Sequence, residues 1–338
     1  MPNRVLIVTN QADLHADIVS AKLVAAGGLP FRLNLDEFPK HFALNLELDR
    51  GGWEGELTHL PTGDTLAVRD IGAVWMRKKS SFRFLSEDLA PQERAYAEGE
   101  MEHMLFSLLY SLDCYWMSHP AALRASSWKG EQLLRAARLG FRVPPSLVTN
   151  RRAGVDAFRA RRGGDIVFKT LSSPSLAAEA VAPGERVAGT LPTTRITDEH
   201  EAELDAVVEL PCFFQQHVPK RYELRVTVIG DRVFAARIDS QDDPRTVTDY
   251  RDFSAEIRYS AERLPPELER RCLELVRSYG LNYGAIDLIV TPQGEHVFLE
   301  NNPVGQFLFI EELVPELDMT GALAACLVQG ARAREQAA

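Results

Sequence analysis

The sequence predicts an α/β protein built from mixed α+β lobes, and three features carry that expectation. It opens as strand, helix, strand, the signature of a parallel sheet. Its last third holds two long hairpins, ELRVTVIGDRVFAARI and AIDLIVTPQGEHVFLE, which call for an antiparallel sheet. Its 338 residues, 45% hydrophobic and 25% charged, supply enough chain for two or three cores.

Residues 4–9 (RVLIVT) form a buried strand. Ile18, Val19, Leu23 and Val24 recur at helical spacing until Gly27-Gly28 stop the helix, and residues 31–35 are the second strand. Residues 42–48 and 56–60 make a hairpin across Gly51-Gly52. A short strand at 73–76 leads into the basic run Arg77-Lys78-Lys79. A long helix follows over 91–112, with Tyr96, Met101, Met104, Leu105 and Leu108 as its apolar side. The first unit, residues 1–120, ends near Pro120.

The second unit, 121–210, begins with SSWKGEQLLRAARLG, a helix capped by Ser126 or Ser127 and ended by Gly140. A strand in FRVPPSLVTN, a short helix, the turn Gly163-Gly164 and the strand DIVFKTL follow. Residues 172–190, rich in Ser, Ala, Pro and Gly, read as a mobile loop. The third unit, 211–338, holds the two hairpins, helices over 266–279 and 320–332, and a frayed tail AREQAA.

The net charge of −10 argues against a general nucleic-acid role but leaves room for a local basic pocket. No apolar run approaches the roughly 18 residues of a membrane span. The N-terminus lacks a signal-peptide pattern, so a cytoplasmic protein is expected, with neither nucleic acid nor membrane as partner. Four separated cysteines fit no zinc spacing and read as single thiols in a reducing cell.

The second hairpin is the most informative segment. Its apolar residues pair best when Val290 faces Val297, Leu288 faces Leu299 and Ile289 faces Phe298. That register sets Asp287 opposite Glu300, with Asn302 on the face of Glu300. Facing like charges repel. A shared proton would offset the repulsion, and so would a hard divalent cation, since these side chains offer only oxygen ligands, which suit Mg²⁺ or Mn²⁺. A solvated edge is the bland alternative.

Other candidates are weaker alone. Lys169 sits inside the apolar strand IVFKTL and needs an anion, such as phosphate, or a route to the sheet edge. Lys129 lies at a helix start. Glu223, Arg225 and Thr227 share a strand face that is either solvated or the wall of a cleft. FFQQHV is apolar and amide-flanked; it is either a core strand or a purine-stacking edge. Asp249 and Arg251 are spaced to pair within a polar loop.

In this order the pieces resemble the ATP-grasp superfamily: Lys129 in SSWKGEQLLRAARLGFRVPPS, Lys169 in VFKTL, FFQQHV, ELRVTVIGDRVFA, AIDLIV and FLENNPVGQF. The chain looks most similar to the ligases that mature ribosomal peptides of the microviridin or graspetide type, through ELRVTVIGDRVFAARIDSQ, DYR and ENNPVGQFLFIEEL. VLIVTNQADLHADIV, PFRLNLDEFP and VWMRK look like that group's N-terminal lobe. The resemblance implies an ATP-grasp fold: a pre-ATP-grasp α/β domain (1–120), a central lobe with a phosphate-covering loop (121–210) and a C-terminal lobe with the metal site (211–338). It implies that Lys129 and Lys169 contact ATP phosphates, that Gln215, Gln216, His217 and Val218 hold adenine, and that Asp287, Glu300 and Asn302 hold Mg²⁺. Gln216 stands where related ligases often have an acid, and Asn301 where an apolar residue is common.

The function so implied is an ADP-forming ligase. An Asp or Glu carboxylate of a ribosomal precursor peptide, with leader and an acidic, hydroxyl-rich core, becomes an acyl-phosphate. A hydroxyl or amine of the same peptide then closes an ester or amide. Arg251, paired with Asp249, is expected to orient the substrate carboxylate, and Arg225 to neutralise phosphate. The alternatives are a ligase joining amino acids or modifying a protein tail, and a non-catalytic precursor-binding partner. The oligomeric state stays open, a homodimer included.

Overall fold

The computed structural model describes residues 4–172, 191–252 and 254–337, the side chains of 334–337 excepted. The proposed loop over 172–190 therefore lies, beyond Ser172, outside the described residues. The chain opens with β1 (Arg4–Thr9), α1 (Leu14–Ala25) and β2 (Leu29–Asn34). Then come β3 (Phe42–Asp49), β4 (Gly52–His59), β5 (Asp64–Ala67), β6 (Ile71–Met76), α2 (Pro91–Ser111) and β7 (Tyr115–Trp116). A parallel sheet runs in the order β2-β1-β6-β7, and β3-β4-β5 form a small antiparallel sheet. Strand β5 was not expected. Two helix faces differ from the expectation. α1 buries His15, Ala16, Val19 and Leu23 and turns Val24 to solvent; α2 buries only Leu105, Leu108 and Leu109 in its last turns, which leaves Tyr96 exposed.

Next are α3 (Pro120–Ala125), α4 (Lys129–Arg138), β8 (Ser146–Thr149), α5 (Arg152–Arg161), β9 (Ile166–Lys169), β10 (Thr194–Arg195) and β11 (Cys212–Gln216). They hold a sheet in the order β10-β9-β11-β8. Strand β11 thus pairs with β8 and β9, across the break expected near Pro211. Neither serine caps α4. Ser126 and Ser127 donate their hydroxyls back to Leu123 and Arg124 of α3, so Trp128 takes the cap position. Gly140 ends the segment at φ +85°, as expected.

The remaining elements are β12 (Tyr222–Ile229), β13 (Arg232–Ile238), β14 (Tyr259–Ala261), α6 (Pro266–Ser278), β15 (Tyr283–Val290), β16 (His296–Asn302), α7 (Leu308–Leu313) and α8 (Met319–Ala337). Their antiparallel sheet runs β14-β13-β12-β15-β16. Helix α8 continues through Ala337, so the tail expected to fray is helical backbone.

The register of the last hairpin is half as expected. Asp287 faces Glu300 and Ala285 faces Asn302, but beyond a bulge the pairs are Leu288 with Phe298, Ile289 with Val297 and Val290 with His296. The turn sets the tip register: Thr291 N–H bonds Glu295 O at 2.9 Å, closing a five-residue loop. Leu299 is the extra residue, left without a partner in the ladder.

Helix α8 packs on α1 and β6 and shares one core with β12 and β15; Val5, Val19, Ile229, Ala285, Leu323 and Leu327 all belong to it. The chain's end thus closes the sheet that its beginning opens.

Candidate functional site

A cleft is lined from the β10-β9-β11-β8 sheet and the β14-β13-β12-β15-β16 sheet. One wall comes from β9 and β11 (Val167, Lys169, Phe213, Gln215), the other from β12, β15 and β16 (Glu223, Asp287, Ile289, Leu299, Glu300). Adjacent residues on a regular strand face opposite sides. Leu299 and Glu300 both line the cleft, which is the local consequence of the bulge.

At one end, Gln215, Gln216, His217 and Val218 follow one another along the lining. Gln215 is buried and donates to Ser146 Oγ at 3.1 Å. His217 is held by Asp165, through its Nδ1 at 3.0 Å and its backbone N–H at 3.1 Å. This ordered segment leaves apolar Phe213 and Val218 facing the cleft.

At the other end the charges converge. Lys129 Nζ donates to Thr170 O at 2.8 Å and lies 3.4 Å from Glu300 Oε2. Lys169 has no carboxylate within ion-pair distance among the described residues. Burial lowers its pKa, while Glu300 pulls it back up. An anion entering the cleft would meet an ammonium that lacks a full counter-charge.

The repulsion between Asp287 and Glu300 is offset by basic side chains. Arg225 Nη1 reaches both oxygens of Asp287 at 2.7 Å, from a strand buried on both faces. Burial still raises the pKa of Asp287, with Arg225 opposing and Glu300 assisting the rise. Glu300 shifts down: burial raises it, but Lys129, Lys169, Arg251 and Arg225 outweigh that term. The face of β12 carrying Glu223, Arg225 and Thr227 is therefore buried, not solvated; Glu223 lines the cleft, and Arg225 and Thr227 do not.

Asp249 and Arg251 form the expected pair. Arg251 Nε and Nη2 donate to the two carboxylate oxygens at 2.7 and 2.6 Å, and both residues line the cleft. That fork raises the pKa of Arg251, burial opposing. Arg225, expected to neutralise phosphate, does not line the cleft; it contacts Asp287, which does.

Asn302 stands apart. Its Oδ1 accepts Val304 N–H at 3.1 Å in the Asn-Pro turn, and it lines the neighbouring cavity together with Glu300. Asp287 and Glu300 offer oxygen donors only, which fits a hard divalent cation. Among the described residues no three His, Cys, Asp or Glu cluster into a cage. Mg²⁺ takes one or two carboxylates and fills its remaining positions with water and phosphate oxygens.

Two functional contacts were missed in the sequence. Gln132 on α4 clamps the backbone of Asn301: its Oε1 accepts Asn301 N–H at 2.9 Å and its Nε2 donates to Asn301 O at 2.8 Å. The residue between Glu300 and Asn302 is thus fixed from another element. Lys220, buried, bonds Glu223 at 2.6 Å and Thr248 O at 3.1 Å at the cleft floor. PKRYELR carries that i, i+3 Lys–Glu spacing.

The MvdD pre-ATP grasp domain family matches residues 4–124. No curated protein matches the chain. Among solved structures, a Chryseobacterium gregarium RiPP-associated ATP-grasp ligase, in complex with ADP and a leader and core peptide, is 30% identical. It aligns over 97% of each chain with a TM-score of 0.86. The chain belongs to the RiPP-associated ATP-grasp ligases. The macrocyclase MdnC from Microcystis aeruginosa MRC, bound with precursor peptide MdnA, is 29% identical over 96% of this chain and 99% of its own, with a TM-score of 0.84. The macrocyclase MdnB from the same organism is 27% identical over 97% and 100%, with a TM-score of 0.78. In this ATP-grasp ligase no described helix is long and apolar enough to cross a membrane.

Proposed function

We propose that this ligase binds ATP and Mg²⁺ in the cleft and uses them to form ester or amide cross-links within an acidic, hydroxyl-rich ribosomal precursor peptide. The observation that carries the reading is the convergence of Lys129, Lys169, Asp287, Glu300 and the Asp249–Arg251 pair on one end of one cleft, with the 215–218 segment at the other. Gln215 to Val218 would hold the adenine, and Lys129 and Lys169 would meet the phosphates. Asp287 and Glu300, with Asn302 at the rim, would hold Mg²⁺, which when bound would supply positive charge to offset that of the phosphates.

Arg251, locked by Asp249, grips the substrate carboxylate in two places. A carboxylate oxygen attacks the γ-phosphorus and ADP leaves. The hydroxyl or amine then attacks the acyl carbon, phosphate departs with the bond electrons, and the nucleophile's proton passes to solvent or phosphate. The protein contributes positioning and charge, not a covalent intermediate. The relatives' bound ADP and peptides support this reading.

The test is turnover with ATP, Mg²⁺ and a synthetic precursor peptide that joins a leader to a short core rich in Thr, Ser, Asp and Glu. Each bond should release one ADP and one phosphate and remove about 18 Da from the peptide, as an acyl-phosphate route requires. AMP and pyrophosphate as products would exclude the mechanism. Turnover on free amino acids alone would favour an amino-acid ligase.

A further inference from the structure

A second, broader cavity adjoins the cleft and shares Lys129, Arg251 and Glu300 with it. Among the described residues its cations are Arg77, Lys78, Lys79, Arg124, Lys129 and Arg251, and its one acid is Glu300. In a chain of net charge −10, this concentration of positive charge is local.

Two of these cations, Lys79 and Arg124, are presented on aromatic rings. Lys79 Nζ lies over the Phe106 ring at 5.1 Å, and Arg124 over the Trp128 ring at 5.1 Å. Neither has a carboxylate within ion-pair distance among the described residues. Arg77 is buried, its side chain 4% exposed. Its Nη1 donates to Val304 O at 3.0 Å, yet Nη2 and Nε have no hydrogen-bond partner among the described residues. Those two atoms are shut off from solvent, so Arg77 braces the wall through Val304 and adds positive charge without presenting a donor. Asp13, which does not line the cavity, pairs with Arg77 and Lys78 at 3.7 and 3.6 Å. Tyr110, half exposed, and Phe106 add aromatic surface.

We infer that this cavity is the docking chamber for the acidic stretch of the peptide, with Lys79 and Arg124 as its carboxylate-binding groups; the inference rests on the peptide-ligase reading. Two geometric features favour a peptide. The chamber opens onto the cleft at Arg251 and Glu300, so a chain seated there reaches the phosphate end. The cations also come from separate elements, the end of β6 and α3, which suits several side-chain carboxylates along one extended chain.

The experiment is direct binding, independent of turnover. The probe is a fluorescein-labelled peptide of alternating Thr and Glu, compared with its Thr–Gln counterpart, on the full-length protein with ADP present. The Thr–Glu peptide should bind more tightly and weaken as salt rises. Lys79→Glu and Arg124→Glu should each weaken it by about tenfold, the usual scale for losing a partly desolvated charge pair. ADP affinity should stay within about twofold. Lys79→Arg should retain binding. Equal binding of the two peptides would overturn the inference, as would unchanged affinity in both charge-reversal variants. So would equal competition by a short oligonucleotide, or a Lys79→Arg variant as weak as Lys79→Glu. These outcomes leave the cleft chemistry untouched, because peptide-dependent ADP release by the wild type tests that separately.

Discussion

Glu300 is the single residue on which the cleft's charges balance. Lys129, Lys169 and Arg251 all hold it ionised, and it faces Asp287 across the ladder. Glu300→Gln keeps the shape and removes the charge. Turnover should vanish while thermal unfolding shifts little, because the repulsion with Asp287 disappears along with the attraction to the lysines. A variant that still turns over would remove Glu300 from the metal site. Arg251 permits a sharper test, since Lys keeps the charge and loses the fork that Asp249 holds in place. Arg251→Lys should cut peptide turnover by about a hundredfold, on the order of one lost bidentate transition-state contact. ATP affinity should barely change; if both fall together, Arg251 serves the nucleotide or the fold.

At the scale of elements, the position of Asp287 opposite Glu300 was legible although half of the register was not. Apolar pairing favours a ladder with no slip, and the sequence carries no mark of the Leu299 bulge. The turn decides it: the five-residue loop after Val290 sets the tip one residue off, and the bulge restores the site. Had the tip register continued, Asp287 would face Leu299. The β-α-β opening, both hairpins and the Asp249–Arg251 pair were readable because each is local. The Gln132 clamp joins residues 169 positions apart, so no local pattern marks it. It yields its own prediction. Gln132→Met leaves Asn301 N–H and O and Ser126 O without their buried partner, at about 1–3 kcal/mol for each group left unsatisfied. Denaturant unfolding should record that loss. kcat should fall through displacement of Glu300 even where the protein stays folded, and unchanged kcat would show that the clamp serves stability alone.

Over the whole molecule, the first lobe and the loop after the carboxylate hairpin are joined by a buried polar junction as well as by the core around α8. His15 Nε2 accepts Phe307 N–H at 3.2 Å and Leu308 N–H at 3.4 Å, and its Nδ1 faces Asp13 Oδ1 at 3.6 Å. Two amides donating to Nε2 require a neutral ring with its proton on Nδ1. Burial lowers the pKa of His15; Arg77 and Lys78 lower it further, and Asp13 opposes them. The folded pKa is thus below the unfolded value of about 6.5, and the unfolded chain binds more protons as pH falls. The stabilisation is full above about pH 6.5 and is lost as pH falls through that value toward the folded pKa. Asp13 behaves differently: burial raises its pKa, but His15, Thr9, Arg77 and Lys78 hold it well below the carboxylate range, so its own contribution fades only in stronger acid. His15→Gln keeps an acceptor for the Phe307 amide and cannot be protonated. It should lower Tm at pH 7, yet flatten the fall in Tm between about pH 7 and pH 5 relative to the wild type. Equal slopes for the two proteins would show that the junction does not titrate in that window.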